Sequence, residues 1–275
     1  MTPADLEPAV AGILADDWGD RRQWFAFAID HPARRVIVAE HDDEVVGTAV
    51  ATINGPVAWI GTIWVAAAHR RRGLGRALTE ATLDAAEAAG CATQILVATD
   101  TGRPLYEGLG FDVATWYLTM EAAGRGGTVR TGATERIRDA VAPDLPTLAA
   151  LDRAATGEDR AHLLQAFVAP DSTRVVTAIG DARTPRGFMV RAPWGGGATI
   201  APDPDDALAL LDARRDAYAV DRRVRCGILE DNDVGLERLL AAGWTEAWRA
   251  PRLHRGAALD WDPAAIWGQF NHALG

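Results

Sequence analysis

The feature that most constrains this chain is a repetition: a pattern in its first half returns 133 residues later. Ile95-Leu96 returns as Ile228-Leu229, the Ala/Leu-rich stretch Leu78 to Ala89 falls on Leu211 to Arg222, and Gly110-Phe111 returns as Gly243-Trp244. A period of that length is a whole domain, so two copies of one fold is the simple explanation. The 275 residues suffice for two lobes, each able to bury its own core.

Strand-like and helix-like segments alternate through the first copy, which places it in the α/β class. Arg35 to Glu40 and Val45 to Ala51 are β-forming runs around a turn at His41-Asp42-Asp43, and Ala58 to Val65 is a third strand. Gly75 to Ala89 has helical spacing and stops at Gly90, a residue suited to a helix C-terminus. Ile95 to Ala98 is a short buried strand, Pro104 to Leu109 a short helix ended by Gly110, and Val113 to Glu121 a last strand. The first 30 residues spell one or two helices. The expected organisation is a lobe at 1–122, a Gly-rich linker at 123–134 and a second lobe at 135–275.

Bulk composition excludes several classes. No apolar run approaches the roughly 20 residues of a bilayer span. The N-terminus lacks a basic head followed by an apolar stretch, and only two cysteines occur, Cys91 and Cys226, so a cytoplasmic chain with reduced thiols is expected. A net charge of -10 disfavours nucleic acid as a partner and suits a cationic or amine-bearing small molecule better. Neither cysteine has the histidine spacing of a covalent catalyst, and no metal-ligand pattern stands out.

Between the third strand and the long helix lies Trp64-Val65-Ala66-Ala67-Ala68-His69-Arg70-Arg71-Arg72-Gly73-Leu74-Gly75-Arg76. A strand passing through a Gly-rich turn into a helix N-terminus presents free backbone N–H groups and the positive end of the helix dipole, a device for holding phosphate. Gly73 and Gly75 allow close approach to an anion, and the arginines add positive charge. The spacing is neither the dinucleotide fingerprint nor a P-loop. The arginine run also fits a solvated basic patch.

Arg70-x-x-Gly73-x-Gly75 after a strand and before a helix is similar to the pyrophosphate motif of the GNAT N-acetyltransferases. Tyr106-Glu107-Gly108-Leu109-Gly110-Phe111 resembles that family's second signature at the expected distance. The resemblance covers nearly all of the first lobe and implies two tandem acyl-CoA N-acyltransferase lobes, each a mixed, mainly antiparallel sheet flanked by helices. It implies that Trp64, Val65 and their neighbours hold the thioester and pantetheine of acetyl-CoA through the backbone. Arg70, Arg71, Arg72, Gly73, Leu74, Gly75 and Arg76 would hold the pyrophosphate, and Tyr106 would protonate the departing thiolate. Tyr106 also fits a core aromatic. Trp18 and Trp24 lie where the family lines its acceptor site, as a wall or as plain core. Asp16, Asp17 and Glu44 are acidic in plausible regions, without a pattern that makes any of them a base.

In the second copy, Gly73 maps to Asp206, Gly75 to Leu208 and Tyr106 to Leu239. Carboxylates at a helix N-terminus cap the helix and repel pyrophosphate, and leucine donates no proton. This half, through the tail Ile266 to Gly275, resembles the degenerate C-terminal lobe of tandem acetyltransferases and is expected to shape the acceptor cleft. The expected activity is acetyl transfer from acetyl-CoA to a primary amine of a small molecule. An acyl-CoA sensor without turnover and a protein or peptide N-acetyltransferase stand as alternatives, and oligomeric state is not encoded legibly.

Overall fold

A computed structural model describes residues 1–126, 136–169, 172, 175–181, 184–191, 197–269 and 271–275. Compactness divides the chain into two units. One holds Met1–Asp112, Leu253–Ala257 and His272–Gly275, and the other Val113–Arg252 and Ala258–Asn271.

The first unit opens with helices α1 (Leu6–Ala15) and α2 (Arg22–Ile29), then strands β1 (Arg34–His41), β2 (Glu44–Asn54) and β3 (Val57–Val65). β1, β2 and β3 run antiparallel, with Asp42 and Asp43 both left-handed in the β1–β2 turn, as a tight hairpin requires. Helix α3 (Leu74–Ala88) crosses over to β4 (Thr93–Val97), which lies parallel to β3. Helix α4 (Arg103–Glu107) follows. Trp59, Trp64, Phe25 and Ile13 are the large buried side chains, and α1 and α3 both pack on β2.

The expected elements of this part appear within a few residues of their positions. Gly90 and Gly110 each stop a helix in the left-handed conformation, with Cys91 N–H bonded to Ala86 O and Phe111 N–H to Tyr106 O. The Gly-aromatic pair is therefore a helix stop whose aromatic closes the core. Gly243 and Trp244 repeat it, with Trp244 N–H on Leu239 O and the indole 1% exposed.

Strand β5 (Asp112–Ala123), expected to close the first lobe, lies almost wholly in the second unit. There follow β6 (Ile137–Asp139), α5 (Leu145–Thr156), α6 (Ala161–Val168), β7 (Val175–Gly180), β8 (Pro185–Arg191), β9 (Thr199–Ile200), α7 (Pro204–Asp216), β10 (Arg223–Leu229), α8 (Asp233–Ala241), β11 (Thr245–Gly256) and β12 (Ile266–Gly268). From α5 onward this is the order of α1 to β5 over again. Strands β12-β9-β8-β7-β6 form one sheet, and β11-β5-β10 stand side by side with β5 antiparallel to β10. The core gathers Leu118, Met120, Leu211, Ile228, Leu239, Trp244 and Trp267.

The compact units interleave along the sequence, whereas the expectation is of contiguous domains. Hydrogen bonds give the reason. Thr93 Oγ1 donates to Ala257 O at 2.7 Å, Thr52 Oγ1 to Ala273 O at 2.6 Å and Asn54 Nδ2 to Leu274 O at 2.9 Å, which binds two late segments into the first unit. Within the expected linker, residues 127–134 lie outside the described residues, as does Phe270 of the tail. Gly124, Arg125 and Gly126 are described and bonded, donating to Arg222 O, Arg215 O and Tyr218 O, so they belong to the body of the second unit.

Candidate active site

Strands β3 and β4 pair only from Val57–Thr93 to Trp59–Ile95. Beyond that point β3 has no partner on its β4 side among the described residues, so 60–65 present an open backbone edge. An extra residue in this stretch, placed between the Thr48–Trp64 and Val50–Gly61 pairs, bulges β3 and puts Thr62 at φ 52°. Two hydrogen bonds fix the bulge: Thr48 Oγ1 donates to Thr62 O at 2.9 Å, and Trp24 Nε1 donates to Thr62 Oγ1 at 3.0 Å.

After β3 the chain makes one 3-10 turn, Ala67–His69, and enters α3 through Arg71 at φ 61° and Gly73 at φ 83°. The first helical bond is Ala77 N–H to Gly73 O. Six consecutive backbone N–H groups, Arg71 to Arg76, thus have no acceptor among the described residues, and no side chain caps the helix. Unbonded donors at the positive end of a 15-residue helix are an arrangement able to hold an anion. Space above Gly73 is open, and a Cβ on Gly75 would meet only Leu105 and Val65 at ordinary contact distance.

The structure separates the roles of the expected phosphate residues. Arg71 and Arg72 are exposed beside the loop, and Arg76 reaches Glu80 and Gly108 O. Arg70 has protein partners of its own. Its Nε donates to Val65 O at 2.8 Å and its Nη2 to Asp16, which also accepts from Trp64 Nε1 at 2.7 Å. Arg70 is a brace between the end of β3 and α1, and the Trp64 indole is 2% exposed, which leaves only backbone for a ligand. Asp16 is occupied by these two partners, while Asp17 and Glu44 are exposed, so none of the three is placed as a base.

Tyr106 sits on α4, which the Leu105–Gly75 contact and the Arg76–Gly108 bond bring beside the start of α3. Its ring stands edge-on to Phe111 with centroids 6.2 Å apart. The hydroxyl has no partner among the described residues, and burial pushes its pKa up to about 12. An ordinary thiol titrates near about 8.5, so a phenol held this far above it is suited to donate a hydrogen bond rather than to release its proton. Trp18 is 39% exposed and apart from the bulge, whereas Trp24 is buried on it. Cys91 and Cys226 are buried thiols pushed up by desolvation, the second to about 12, and do not act as nucleophiles.

Among the described residues the second unit shows none of these openings. The Asp203 carboxylate caps α7, accepting from Asp205 N–H at 2.8 Å and Asp206 N–H at 3.4 Å, and the fully buried Asp206 takes Arg136 and Arg186. Strand β12 pairs with β9 and packs against β10, filling the gap that stays open between β3 and β4. Asn232 Nδ2 secures it by donating to Ala264 O and Ile266 O. Missed in the sequence was His272, which the tail brings against Gly61 beside the bulge of β3 and which belongs to no periodic pattern or motif that could have marked it.

Among the described residues no helix is long and apolar enough to cross a membrane, and no three His, Cys, Asp or Glu groups cluster as for a metal. The profile of the Acetyltransferase (GNAT) family matches residues 6–111. None of the curated proteins matches the chain. Among solved structures, a Pyrococcus horikoshii protein described as an acetyltransferase is 21% identical over 100% of this chain and 94% of its own, with a TM-score of 0.82. A GCN5-related N-acetyltransferase from Sphaerobacter thermophilus is 18% identical over 95% and 96%, with a TM-score of 0.61. A tandem GNAT protein from the clavulanic acid biosynthesis pathway is 16% identical over 92% and 94%, with a TM-score of 0.56. At such identities the likeness is one of fold. Residues 6–111 are thus similar to the acetyltransferase (GNAT) family, and the chain as a whole shares its fold with these solved structures, a tandem GNAT protein among them.

Proposed function

We propose that the first unit binds acetyl-CoA and transfers its acetyl group to a primary amine of a small molecule, and that the second unit binds no acetyl-CoA. The observation that carries this is the run of unbonded N–H groups from Arg71 to Arg76, set directly after the open edge of β3. The donors suit the pyrophosphate, with Arg71 and Arg72 adding charge at the rim, and the edge of 60–65 suits the amide groups of a pantetheine arm. The amine nitrogen attacks the thioester carbonyl carbon, the C–S bond breaks, and the sulfur leaves as thiolate. Backbone N–H near Val65 meets the carbonyl oxygen, and Tyr106 donates to the sulfur. The amine gives up one proton to solvent or a base.

Two measurements test this. Calorimetric titration with acetyl-CoA should show one site per chain, and release of free thiol should follow addition of an acceptor. Tyr106→Phe keeps the ring on Phe111 and removes the donor. Its kcat should fall about 10- to 100-fold with acetyl-CoA affinity unchanged. Unaltered kcat would remove Tyr106 from the chemistry, and failure to bind acetyl-CoA at all would sink the proposal.

A further inference from the structure

A carboxylate stands where α1 has no use for it. Asp16 closes α1 at its C-terminal end, where the helix dipole favours cations and no basic residue occupies the last turn. Its side chain is 18% exposed, against 49% for Arg70, and it accepts from Trp64 Nε1 at 2.7 Å and from Arg70 Nη2. The Trp64 indole lies against the same helix one turn earlier: a Cβ on Gly12 would stand 2.4 Å from its Cη2. Gly12 and Asp16 thus seat the ring and bind its N–H, which fastens β3 to α1 at the residue before Val65.

Val65 is the point that this fastening serves. Ala66 N–H donates to Val46 O at 2.9 Å, a bonded pair that continues the β2–β3 ladder. Bonded and unbonded pairs alternate in an antiparallel ladder, so the neighbouring pair, Gly47 with Val65, is unbonded, and Val65 turns both N–H and C=O away from β2. That is the side on which β3 and β4 no longer pair among the described residues. The outward C=O accepts Arg70 Nε at 2.8 Å, and the same guanidinium reaches Asp16 through Nη2. One planar fork therefore spans the 3-10 turn and joins the end of the open edge to α1. The Arg70 backbone meanwhile leads into the unbonded N–H run.

We infer that Asp16 and Arg70 are positioning residues for acetyl transfer: Asp16 holds the guanidinium on Val65 O, which fixes the peptide at the thioester end of the edge and leaves the pyrophosphate to the backbone donors with Arg71 and Arg72. The inference rests on the function proposed above and adds to it two residues that touch neither the reacting carbonyl nor the amine. Misplacing a reactant by about 1 Å costs on the order of 100-fold in rate, so loosening this peptide appears in kcat. An arginine that bound phosphate would appear in the affinity for CoA instead.

The test uses the full chain and two donors, acetyl-CoA and S-acetylpantetheine, which keeps the thioester and the pantetheine arm and lacks the phosphates. Asp16→Asn and Arg70→Gln should each lower kcat about 10- to 100-fold with both donors, while the calorimetric Kd for CoA stays within about threefold. Arg70→Lys keeps the charge without the fork and should recover only part of the rate. The double variant should be no slower than Arg70→Gln alone, because both residues act through one bridge. Arg71→Gln supplies the contrast, with a larger loss on acetyl-CoA than on S-acetylpantetheine. Circular dichroism verifies folding, and if Asp16→Asn unfolds, the half-exposed Arg70 still carries the comparison. An unchanged kcat in Arg70→Gln, a CoA Kd raised by about tenfold or more at constant kcat, or losses that multiply in the double variant would each overturn the inference. A parent chain that binds no acetyl-CoA refutes the function and this role together, whereas parent turnover with unresponsive variants refutes the role alone.

Discussion

Deleting the last four residues, His272 to Gly275, should lower the unfolding temperature of the first unit by about 10–20 °C, far more than four terminal residues ordinarily cost. Leu274 is 0% exposed and Ala273 5% exposed. Burial of a leucine is worth about 1.5–3 kcal/mol. The fully buried Asn54 and Thr52 side chains each donate to a carbonyl of this segment. A buried donor left without an acceptor costs about 1–3 kcal/mol, and water entering the vacated groove recovers part of that. The sum, about 4–7 kcal/mol, is comparable to the whole net stability of a typical domain.

Gly61 supplies an independent route to the same result. A valine there cannot coexist with His272 O and Ala273 Cβ, so Gly61→Val should expel the tail and reproduce the deletion. Leu274→Ala, which leaves the backbone bonds in place, should cost less, about 2–5 kcal/mol. Differential scanning calorimetry resolves the three. A deletion that shifts the first unit by under about 3 °C would show that the tail does not hold it together. By the same logic, truncation after residue 125 removes Leu253–Ala257 together with the tail. The shortened chain should fail to fold before its acceptor kinetics can be measured.

Local chemistry made much of the fold legible in the sequence, and distance in the chain hid the rest. Gly90, Gly110 and Gly243 each announce a helix stop because a left-handed residue is needed there, and the apolar residue that follows must enter the core. The Gly-rich entry to α3 was readable for the same reason, since turn, glycine and helix start are consecutive. The duplication was visible because two copies of such signals stand at one offset. Pairing partners were not. Nothing within β5 says that it will lie beside β10, and β12, at three residues, is too short to show a period.

Side-chain roles divided along the same line. Arg70 carries the family spacing, yet its guanidinium is taken by Asp16, 54 residues earlier, and by Val65 O. Arginine beside a glycine loop suggests phosphate, and only the fold shows that a carboxylate from α1 reaches it first. His272 and Gly61 lie about 210 residues apart in sequence and meet only because the tail returns to β3. A lone histidine near a C-terminus carries no signal of that kind.

Gly73→Asp should weaken acetyl-CoA binding by at least about 100-fold while the protein remains folded. In α7 the second unit shows what a carboxylate does at the start of this helix: Asp203 takes the N–H groups of Asp205 and Asp206 for itself. An aspartate at 73 would bond the Gly75 and Arg76 N–H groups in the same way and place a negative charge where the pyrophosphate belongs. The backbone at 73 is left-handed, so the side chain costs about 1–2 kcal/mol of strain, which the new cap offsets by about 1 kcal/mol. Gly73→Ala separates the two effects, since it carries the strain and leaves the donors free. It should lose less than about tenfold in affinity. Calorimetric titration of both variants, with circular dichroism to verify folding, distinguishes them: equal losses would mean that loop conformation governs binding, and no loss in Gly73→Asp would mean that the phosphates lie elsewhere. The reverse change, Asp203→Gly, should create no second site, because Asp206 and its two arginines still fill that helix start and β12 still closes the cleft beside it.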